Sequence, residues 1–441
     1  MSPPTATPVL ETRRGKQILM LLGGRASDLL GRRRLLVAGT VLFALSSFAA
    51  GIAPDATALI VARMIQGSGA AMMIPAALSI LTTTFTQPID RHKALGAWGA
   101  VGGLASAVGV FLGGVITDVV DWRWVFFVNL PAAALILRAI FRLVPADEKV
   151  ERREGLDVLG ALLVTAGMLL LVYPIVEAPD VGWGDAKTIA GFALAGVILA
   201  IFAGYETNHR NPVFPFSIFR VKGLAAADVT MVAAMAGFYT MFLFITLYLQ
   251  NVLGLNPLAS GAAYLAPCFG VAISAGIATN LMGKVGTRPV IVVGASLGAG
   301  GIFWLSKIPV DGSYLSNVLP GLMLAALGVG SVLVGATTAA QHGVPPDKAG
   351  LAAALINSSM WLGGALGVAI FTAVATSTTA DRLAAHASQA EALTAGFQDA
   401  LLLAAIFLAA AAVIALRSPN TRGEQTAPTP ERTPEMATEA A

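Results

Sequence analysis

Charged residues are scarce in this sequence, and their scarcity decides the class of protein. Of its 441 residues only 12% are Asp, Glu, Lys or Arg, about half the share found in soluble domains. Hydrophobic residues make up 56%, and the mean hydropathy is +0.76. They recur in blocks of about twenty, the length with which a helix crosses the hydrocarbon core of a bilayer. The sequence therefore predicts an all-α integral membrane protein with the lipid bilayer as its environment.

Other absences narrow the function. The single cysteine, Cys268, excludes an internal disulfide and a multi-cysteine metal site. The four histidines lie far apart and make no metal cluster. No Gly-x-x-x-x-Gly-Lys-Ser/Thr motif is present, so we expect no nucleotide partner. The net charge is +3, and the basic residues lie in short loops between apolar blocks and not in one continuous patch, which argues against nucleic acid as a partner. Without a clustered catalytic set, we expect no enzyme activity and no cofactor.

Hydropathy predicts twelve membrane-spanning helices. Their approximate bounds are 35–53, 58–85, 94–116, 122–144, 156–178, 187–205, 224–250, 257–283, 288–307, 315–337, 349–376 and 394–417. A further apolar stretch, 17–30, is too short to be a well-formed span. The prediction is therefore about 12–13 transmembrane helices.

Loop charges predict the orientation. Twenty of the 28 Lys and Arg residues fall in loops on one side of the predicted membrane, and only Arg123, Lys187, Lys307 and Arg382 fall in loops on the other. Since cytoplasmic loops carry the excess of basic residues, the first side and the C-terminus are predicted to be cytoplasmic. The end of the chain, 418–441, is rich in Pro, Thr and Glu and is predicted to be a disordered cytoplasmic tail.

An internal repeat relates two parts of the chain. Its matching pairs, all 255 residues apart, are Gly31 with Gly286, Arg33 with Arg288, and Gly39 with Gly294. Parallel repeats in a membrane protein are typical of transporters built from two similar halves.

The segment that opens this repeat is a candidate conformational latch. Gly24, Asp28, Gly31, Arg32 and Arg33 lie in a very short loop in which the aspartate can pair with an arginine or with a helix N-terminus. Such a pairing could hold one conformation closed. The alternative is an ordinary basic loop with routine helix capping.

Three polar residues within predicted spans are candidates for transport or proton relay. Arg63 and Gln66 share one helical face, and a guanidinium inside a span normally faces a cavity or a partner. Its alternative role is to extend outward to the membrane surface. Asp228 lies one turn inside its helix, where either proton exchange or simple interaction with the helix dipole explains an acid.

Two further groups of residues suggest packing or a cavity. Gly103, Gly109, Gly113 and Gly114 form a predicted helix-packing motif, since small residues at four-residue intervals let helix backbones approach closely. Asn357, Ser358 and Ser359 form a polar patch in an apolar helix, and they either line a cavity or form hydrogen bonds between helices.

From about residue 18 to 417 these motifs resemble the major facilitator superfamily, and within it the fourteen-helix drug:proton antiporters of the EmrB/QacA type. The stretches that carry the resemblance are 24–34, 63–69, 109–114 and WRWVFFVNLP from Trp122. The resemblance implies two helical bundles with two extra linker helices. It also implies proton-coupled efflux of drugs or amphipathic small molecules from the cell, hence antibiotic resistance, with protons and the small molecule as partners.

On this basis the chain divides into five parts: a polar tail at 1–16, an incomplete N-terminal bundle at 17–144, a linker with two transmembrane helices at 145–221, a six-helix C-terminal bundle at 222–417 and the tail at 418–441. Two features depart from the family pattern. Val110 stands where the antiporter motif usually has proline, and helix one with part of helix two is expected to be lacking. The alternative function is a truncated, non-transporting remnant of the family.

Overall fold

The computed structural model describes residues 31–85, 90, 94, 101, 105, 108–109, 111–147, 157–209, 221, 223–344 and 349–422. Within these ranges every regular element is helical. Ten helical segments there are long and apolar enough to cross a membrane. The prediction of an all-α membrane protein is therefore confirmed. The predicted tail at 1–16, Gly24, Asp28 and Gly103 lie outside the described residues.

The first half is built around two long helices. Its elements are α1 (Arg32–Gly51), α2 (Ala56–Thr84), the short α3 (Trp124–Phe127) and α4 (Asn129–Leu143), and residues 111–119 are also helical. Asp55 is the N-cap of α2, and its carboxylate accepts a hydrogen bond from the Ala58 amide at 2.7 Å. Ser47 of α1 donates to the Phe126 carbonyl at 2.9 Å and joins α1 to α3.

Two linker helices follow, α5 (Val158–Val181) and α6 (Ala186–Asn208), and they pack against each other. Asp157 caps the start of α5 by accepting from the Gly160 amide at 2.8 Å. Its other carboxylate oxygen lies 3.5 Å from His209 Nδ1, at the end of α6. The Tyr205 ring stacks on the His209 ring at 4.9 Å. These contacts tie the beginning of one linker helix to the end of the other.

The second half contains α7 (Leu224–Asn251), α8 (Pro257–Ala263), α9 (Leu265–Val285), α10 (Thr287–Leu305), a π-helical turn (Tyr314–Val318), α11 (Leu319–Gln341), α12 (Ala349–Ala384) and α13 (Gln389–Ala415). Helix α7 is central, because it packs against α11, α12 and α13 and carries the large buried side chains Met231, Phe244 and Tyr248. Helices α10 and α11 approach closely at Gly298 and Gly328, where backbone lies against backbone. Linker helix α5 packs on the side of α12.

The observed helices agree with the predicted spans to within a few residues, apart from the span at 94–116, which lies largely outside the described residues. Two ends differ more. Helix α12 continues to Ala384, eight residues past its predicted end at 376, because polar residues lower hydropathy without interrupting helical hydrogen bonds. Helix α13 begins at Gln389 and not at 394, since Ser388 and Glu391 form a capping box ahead of its apolar part.

Candidate functional site

The helix that follows the predicted latch is capped by Asp147, a residue that was not predicted from the sequence. Arg32 is the first residue of α1, and Gly31 precedes it with φ +89°. The Asp147 carboxylate, located beyond the end of α4, accepts hydrogen bonds from the backbone amides of Arg33 at 3.0 Å and Arg34 at 2.9 Å. A carboxylate at a helix N-terminus is stabilised by the free amides and the helix dipole. Asp147 thus caps α1 from 113 residues away.

The start of α1 is also held through the Arg33 side chain. The Arg33 guanidinium donates to the Phe141 carbonyl at 3.3 Å and lies 5.2 Å from the centre of the Phe141 ring. Both contacts join α1 to α4. In the sequence, Asp147 stands out only as an acidic residue just after the last helix of the first half. Nothing in the sequence connects Asp147 to the start of α1.

The second half repeats this arrangement with different chemistry. Gly286 has φ +90°, and the Asn420 side chain accepts from the Arg288 amide at 3.2 Å. Arg288 Nε donates to the Ser418 carbonyl at 3.0 Å, and the Thr287 amide donates to the Thr421 carbonyl at 2.8 Å. In each half, therefore, the chain after the last helix returns to cap the helix that begins the repeat.

We call Asp147 the first capping strap and residues 418–421 the second. The second strap changes the predicted tail. Ser418 and Thr421 are buried, and residues 418–421 bind the start of α10. The predicted start of the disordered tail at 418 is therefore early, because these four residues satisfy the free groups of a helix end. Residues 423–441 lie outside the described residues.

We expect Asp147→Ala to loosen the start of α1. Loss of a capping carboxylate costs about 1 kcal/mol, so amide hydrogen exchange over residues 33–36 should accelerate about fivefold to tenfold. Exchange measured by mass spectrometry on the protein in lipid nanodiscs checks this. Asn420→Ala is the matched control, since the second strap keeps its other hydrogen bonds. Equal protection of residues 33–36 in Asp147→Ala and wild type would show that Asp147 is not the cap.

Arg63 and Gln66 meet within α2. The Arg63 guanidinium donates to Gln66 Oε1 and lies 5.7 Å from the centre of the Phe126 ring, within the range of a cation–π contact. Gln66 is only 2% exposed, and its Nε2 has no hydrogen-bond partner among the described residues. Because Gln66 lies one turn farther from the start of α2, the Arg63 side chain turns toward the middle of the helix and not to its nearer end.

The predicted glycine motif divides into contacting and open positions. A Cβ on Gly114 would lie 2.5 Å from the Pro257 carbonyl oxygen and 3.3 Å from the Gly261 Cα. No such neighbour lies within 4 Å of Gly109 or Gly113 among the described residues. Gly114 is therefore the position at which the first half touches α8 of the second half with its backbone.

A polar contact lies beside this packing. Asn256 Nδ2 donates to Asp118 Oδ2 at 3.2 Å, and Asn256 Oδ1 accepts from the Ala259 amide at 2.9 Å. The Asn256 amide is therefore oriented by its role as the N-cap of α8. Gly114, Asp118, Asn256 and Pro257 together form what we call the interhalf contact. It lies at the end of the molecule where α1 and α7 finish, opposite the two capping straps.

Asp228 pairs with one member of the predicted polar patch. Asp228 is only 5% exposed, and its Oδ1 accepts a hydrogen bond from Ser359 Oγ at 3.2 Å. Its Oδ2 has no hydrogen-bond partner among the described residues. Asn357 and Ser358 are exposed on another face of α12. Sequence reasoning selected both Asp228 and Ser359 but did not connect them.

These residues do not form one compact catalytic site. The straps lie at one end of the molecule, the interhalf contact lies at the other, and Asp228 is buried between α7 and α12. Over the described ranges, no group of three or more His, Cys, Asp or Glu side chains has metal-binding geometry. The arrangement suits a change of conformation better than a chemical reaction on a bound substrate.

Comparison with known proteins matches the chain to one family and to proteins named for antibiotic resistance or export. The family model described as Major Facilitator Superfamily matches residues 15–368. Puromycin resistance protein pur8 of Streptomyces alboniger is 38% identical over 83% of this chain and 73% of its own length. Cephamycin export protein CmcT of Amycolatopsis lactamdurans is 34% identical over 90% of this chain and 81% of its own.

Solved structures show the same fold. A bacterial homolog of the human lysosomal transporter Spinster, in its inward-facing and unoccupied conformation, superposes with a TM-score of 0.59 at 14% identity. The match covers 91% of this chain and 86% of that one.

Proposed function

Because the chain belongs to the Major Facilitator Superfamily, and is thus a multi-pass membrane transporter and not an enzyme, we propose that it exports amphipathic antibiotic-like molecules in exchange for protons. The relatives named for puromycin resistance and cephamycin export support small molecules of that kind as substrates. The proposed mechanism is alternating access, in which the two halves expose a central site to each side of the membrane in turn. No observation favours the alternative of a non-transporting remnant.

The interhalf contact is the observation that carries this mechanism. At Gly114 the two halves meet without an intervening side chain, so that end of the molecule is tightly packed. An exporter has to open such a contact to release substrate and close it again before the next cycle. The capping straps at the other end are suited to a latch, because each one ties the chain after the last helix of its half to the start of an earlier helix, α1 or α10.

We propose that the straps lie on the cytoplasmic side of the cell membrane and the interhalf contact on the outer side. The excess of Lys and Arg in loops at the strap end supports this orientation. The linker pair α5 and α6 supports the fourteen-helix type of drug antiporter, since it adds two helices between the halves. The division into bundles at 17–144 and 222–417, with a linker at 145–221, is part of this proposal.

Transport in everted membrane vesicles tests the function. Vesicles that contain the protein should accumulate puromycin when respiration acidifies their interior, and they should release it when nigericin collapses the pH gradient. A cephamycin provides a second substrate. If neither compound accumulates above the level of vesicles without the protein, antibiotic export is contradicted. If accumulation survives a protonophore, which removes both the pH gradient and the membrane potential, proton exchange is contradicted.

Asp228 is the proposed proton-carrying residue, since its carboxyl group is buried and one oxygen is available to bind a proton. We expect Asp228→Asn to reduce pH-driven puromycin accumulation about tenfold while leaving puromycin exchange at equal pH intact. Asp399→Asn is the control, because Asp399 also accepts one hydroxyl hydrogen bond, from Thr378 at 3.0 Å, but is exposed. A normal pH response in Asp228→Asn would remove this residue from the coupling mechanism.

A further inference from the structure

Asp228 and Ser359 lie at one end of a regular contact between α7 and α12. We call this contact the α7–α12 seam, and its pairs are Asp228 with Ser359, Val232 with Gly363, and Ala236 with Gly367. Each pair is separated by 131 residues. A constant offset over two turns means that the helices run parallel in one register, with a small residue of α12 at each step.

The two glycines fix this register. A Cβ on Gly363 would lie within 3.0 Å of the Val232 backbone, and a Cβ on Gly367 within 3.0 Å of the Ala236 backbone. Backbone therefore rests on backbone, and neither helix can slide without leaving these contacts. As a result Ser359 is held opposite Asp228 by the seam as a whole and not by its own flexible side chain.

Other charged groups do not account for the placement of Asp228. The ionisable residues on the helices packed against α7 are Arg288 on α10, Asp381 and Arg382 on α12, and Glu391 and Asp399 on α13; α7 itself carries Tyr239 and Tyr248, and α8 and α11 carry none. No ion pair joins any of them to Asp228 within the described part of the chain. Arg288 is engaged with the Ser418 carbonyl at 3.0 Å. Ser359 is thus the polar side chain that contacts this carboxylate.

We infer that Ser359 is the positioning residue for Asp228, holding one carboxylate oxygen at a fixed place in the α7–α12 seam so that the other oxygen exchanges the proton. This inference rests on the proposed role of Asp228 in proton exchange. The Ser359 hydroxyl donates to the ionised carboxylate of Asp228. Protonation of Asp228 weakens this charge-assisted hydrogen bond, which is the polar pair of the α7–α12 seam. Proton binding is thereby linked to the contact between α7 and α12.

The first test measures the protonation of the Asp228 carboxyl group and needs no transport assay. Dicyclohexylcarbodiimide modifies protonated carboxyl groups, so the extent of Asp228 labelling, followed by mass spectrometry on the purified protein at several pH values, reports its protonation. Since Ser359→Ala removes a donor to the charged form, half-maximal labelling should occur about one pH unit higher, a tenfold change in proton affinity. Ser358→Ala is the matched control, because the neighbouring serine is exposed and makes no hydrogen bond to a described residue.

The second test connects positioning to coupling. In everted vesicles the pH profile of puromycin accumulation should move in the same direction in Ser359→Ala, stay unchanged in Ser358→Ala and return toward wild type in Ser359→Thr, which keeps the hydroxyl. Labelling and transport profiles of Ser359→Ala that match wild type would overturn the inference. A shifted labelling profile with no proton-driven transport in any protein, wild type included, would support the positioning role and contradict the proposed function.

Discussion

Gly114→Leu should reduce export of puromycin to the level of vesicles without the protein. A Cβ at this position would lie 2.5 Å from the Pro257 carbonyl oxygen and 3.3 Å from the Gly261 Cα. Both neighbours belong to the backbone of α8 and cannot rotate away, as the end of a flexible side chain would. The leucine side chain would therefore hold the halves apart at the interhalf contact, and the outer end of the molecule could not close.

Gly113→Leu is the control for this prediction. Gly113 is the preceding residue of the same helical segment, and no heavy atom of a neighbouring described element lies within 4 Å of its would-be Cβ. This variant should keep at least half of wild-type export, since its side chain meets no neighbour in the part of the chain that the structure describes. Size-exclusion profiles in detergent would establish that both variants are folded. Equal export by Gly113→Leu and Gly114→Leu would show that closure at Gly114 is not needed for transport.

Closure itself can be measured by cross-linking. In a Cys268→Ser background, cysteines at Asp118 and Asn256 would report the distance between the halves, because these side chains are in hydrogen-bond contact. We expect efficient cross-linking with an otherwise wild-type sequence and strongly reduced cross-linking after Gly114→Leu. Unchanged cross-linking would mean that the seal tolerates the added side chain.

Arg63→Ala is expected to abolish pH-driven export. The substitution removes the partner of Gln66 Oε1 and the cation over the Phe126 ring. Gln66 is buried, so both ends of its amide would then lack hydrogen bonds to the described residues, which costs about 1–3 kcal/mol for each unsatisfied group. A charged residue within a span that is paired to a buried side chain marks a functional site by default.

Arg123→Ala provides the comparison for Arg63. Arg123 also lies over an aromatic ring, at 4.4 Å from Trp122, but its polar partner is the half-exposed Asp121 and not a buried amide. Surface pairs of this type contribute little energy, so this variant should export puromycin at close to the wild-type rate. The assay is accumulation in everted vesicles at fixed pH gradient, normalised to the amount of protein. Export by Arg63→Ala that equals that of Arg123→Ala would exclude Arg63 from the mechanism.

The positions of the spans could be predicted from the sequence because hydrocarbon imposes a fixed length. Helix α7, predicted at 224–250, runs from Leu224 to Asn251, and α9 with α8 covers the span predicted at 257–283. The errors occurred at α12 and α13, where the helix extends beyond the apolar stretch. In those places capping groups such as Ser388 and Glu391 decide the boundary, and hydropathy does not register them.

The candidate site was only partly predictable, for a related reason. Arg63 and Gln66 are one turn apart, so helical spacing alone placed them together. Asp147, by contrast, lies 114 residues from the Arg33 amide that it binds, and Ser359 lies 131 residues from Asp228. Contacts between distant segments depend on how helices pack, and a single sequence without comparison to others contains no direct signal of that packing.

A bundle of membrane helices in two related halves could be predicted from the sequence, because apolar length and repeat spacing act along the chain. The packed structure was needed to show which glycine of a small-residue motif contacts the opposite half, which acid caps α1 and which serine contacts Asp228. Those choices depend on backbone-to-backbone distances of a few ångströms between helices. Such distances arise only when the helices have packed, and neighbouring residues as alike as Gly113 and Gly114 then acquire different roles.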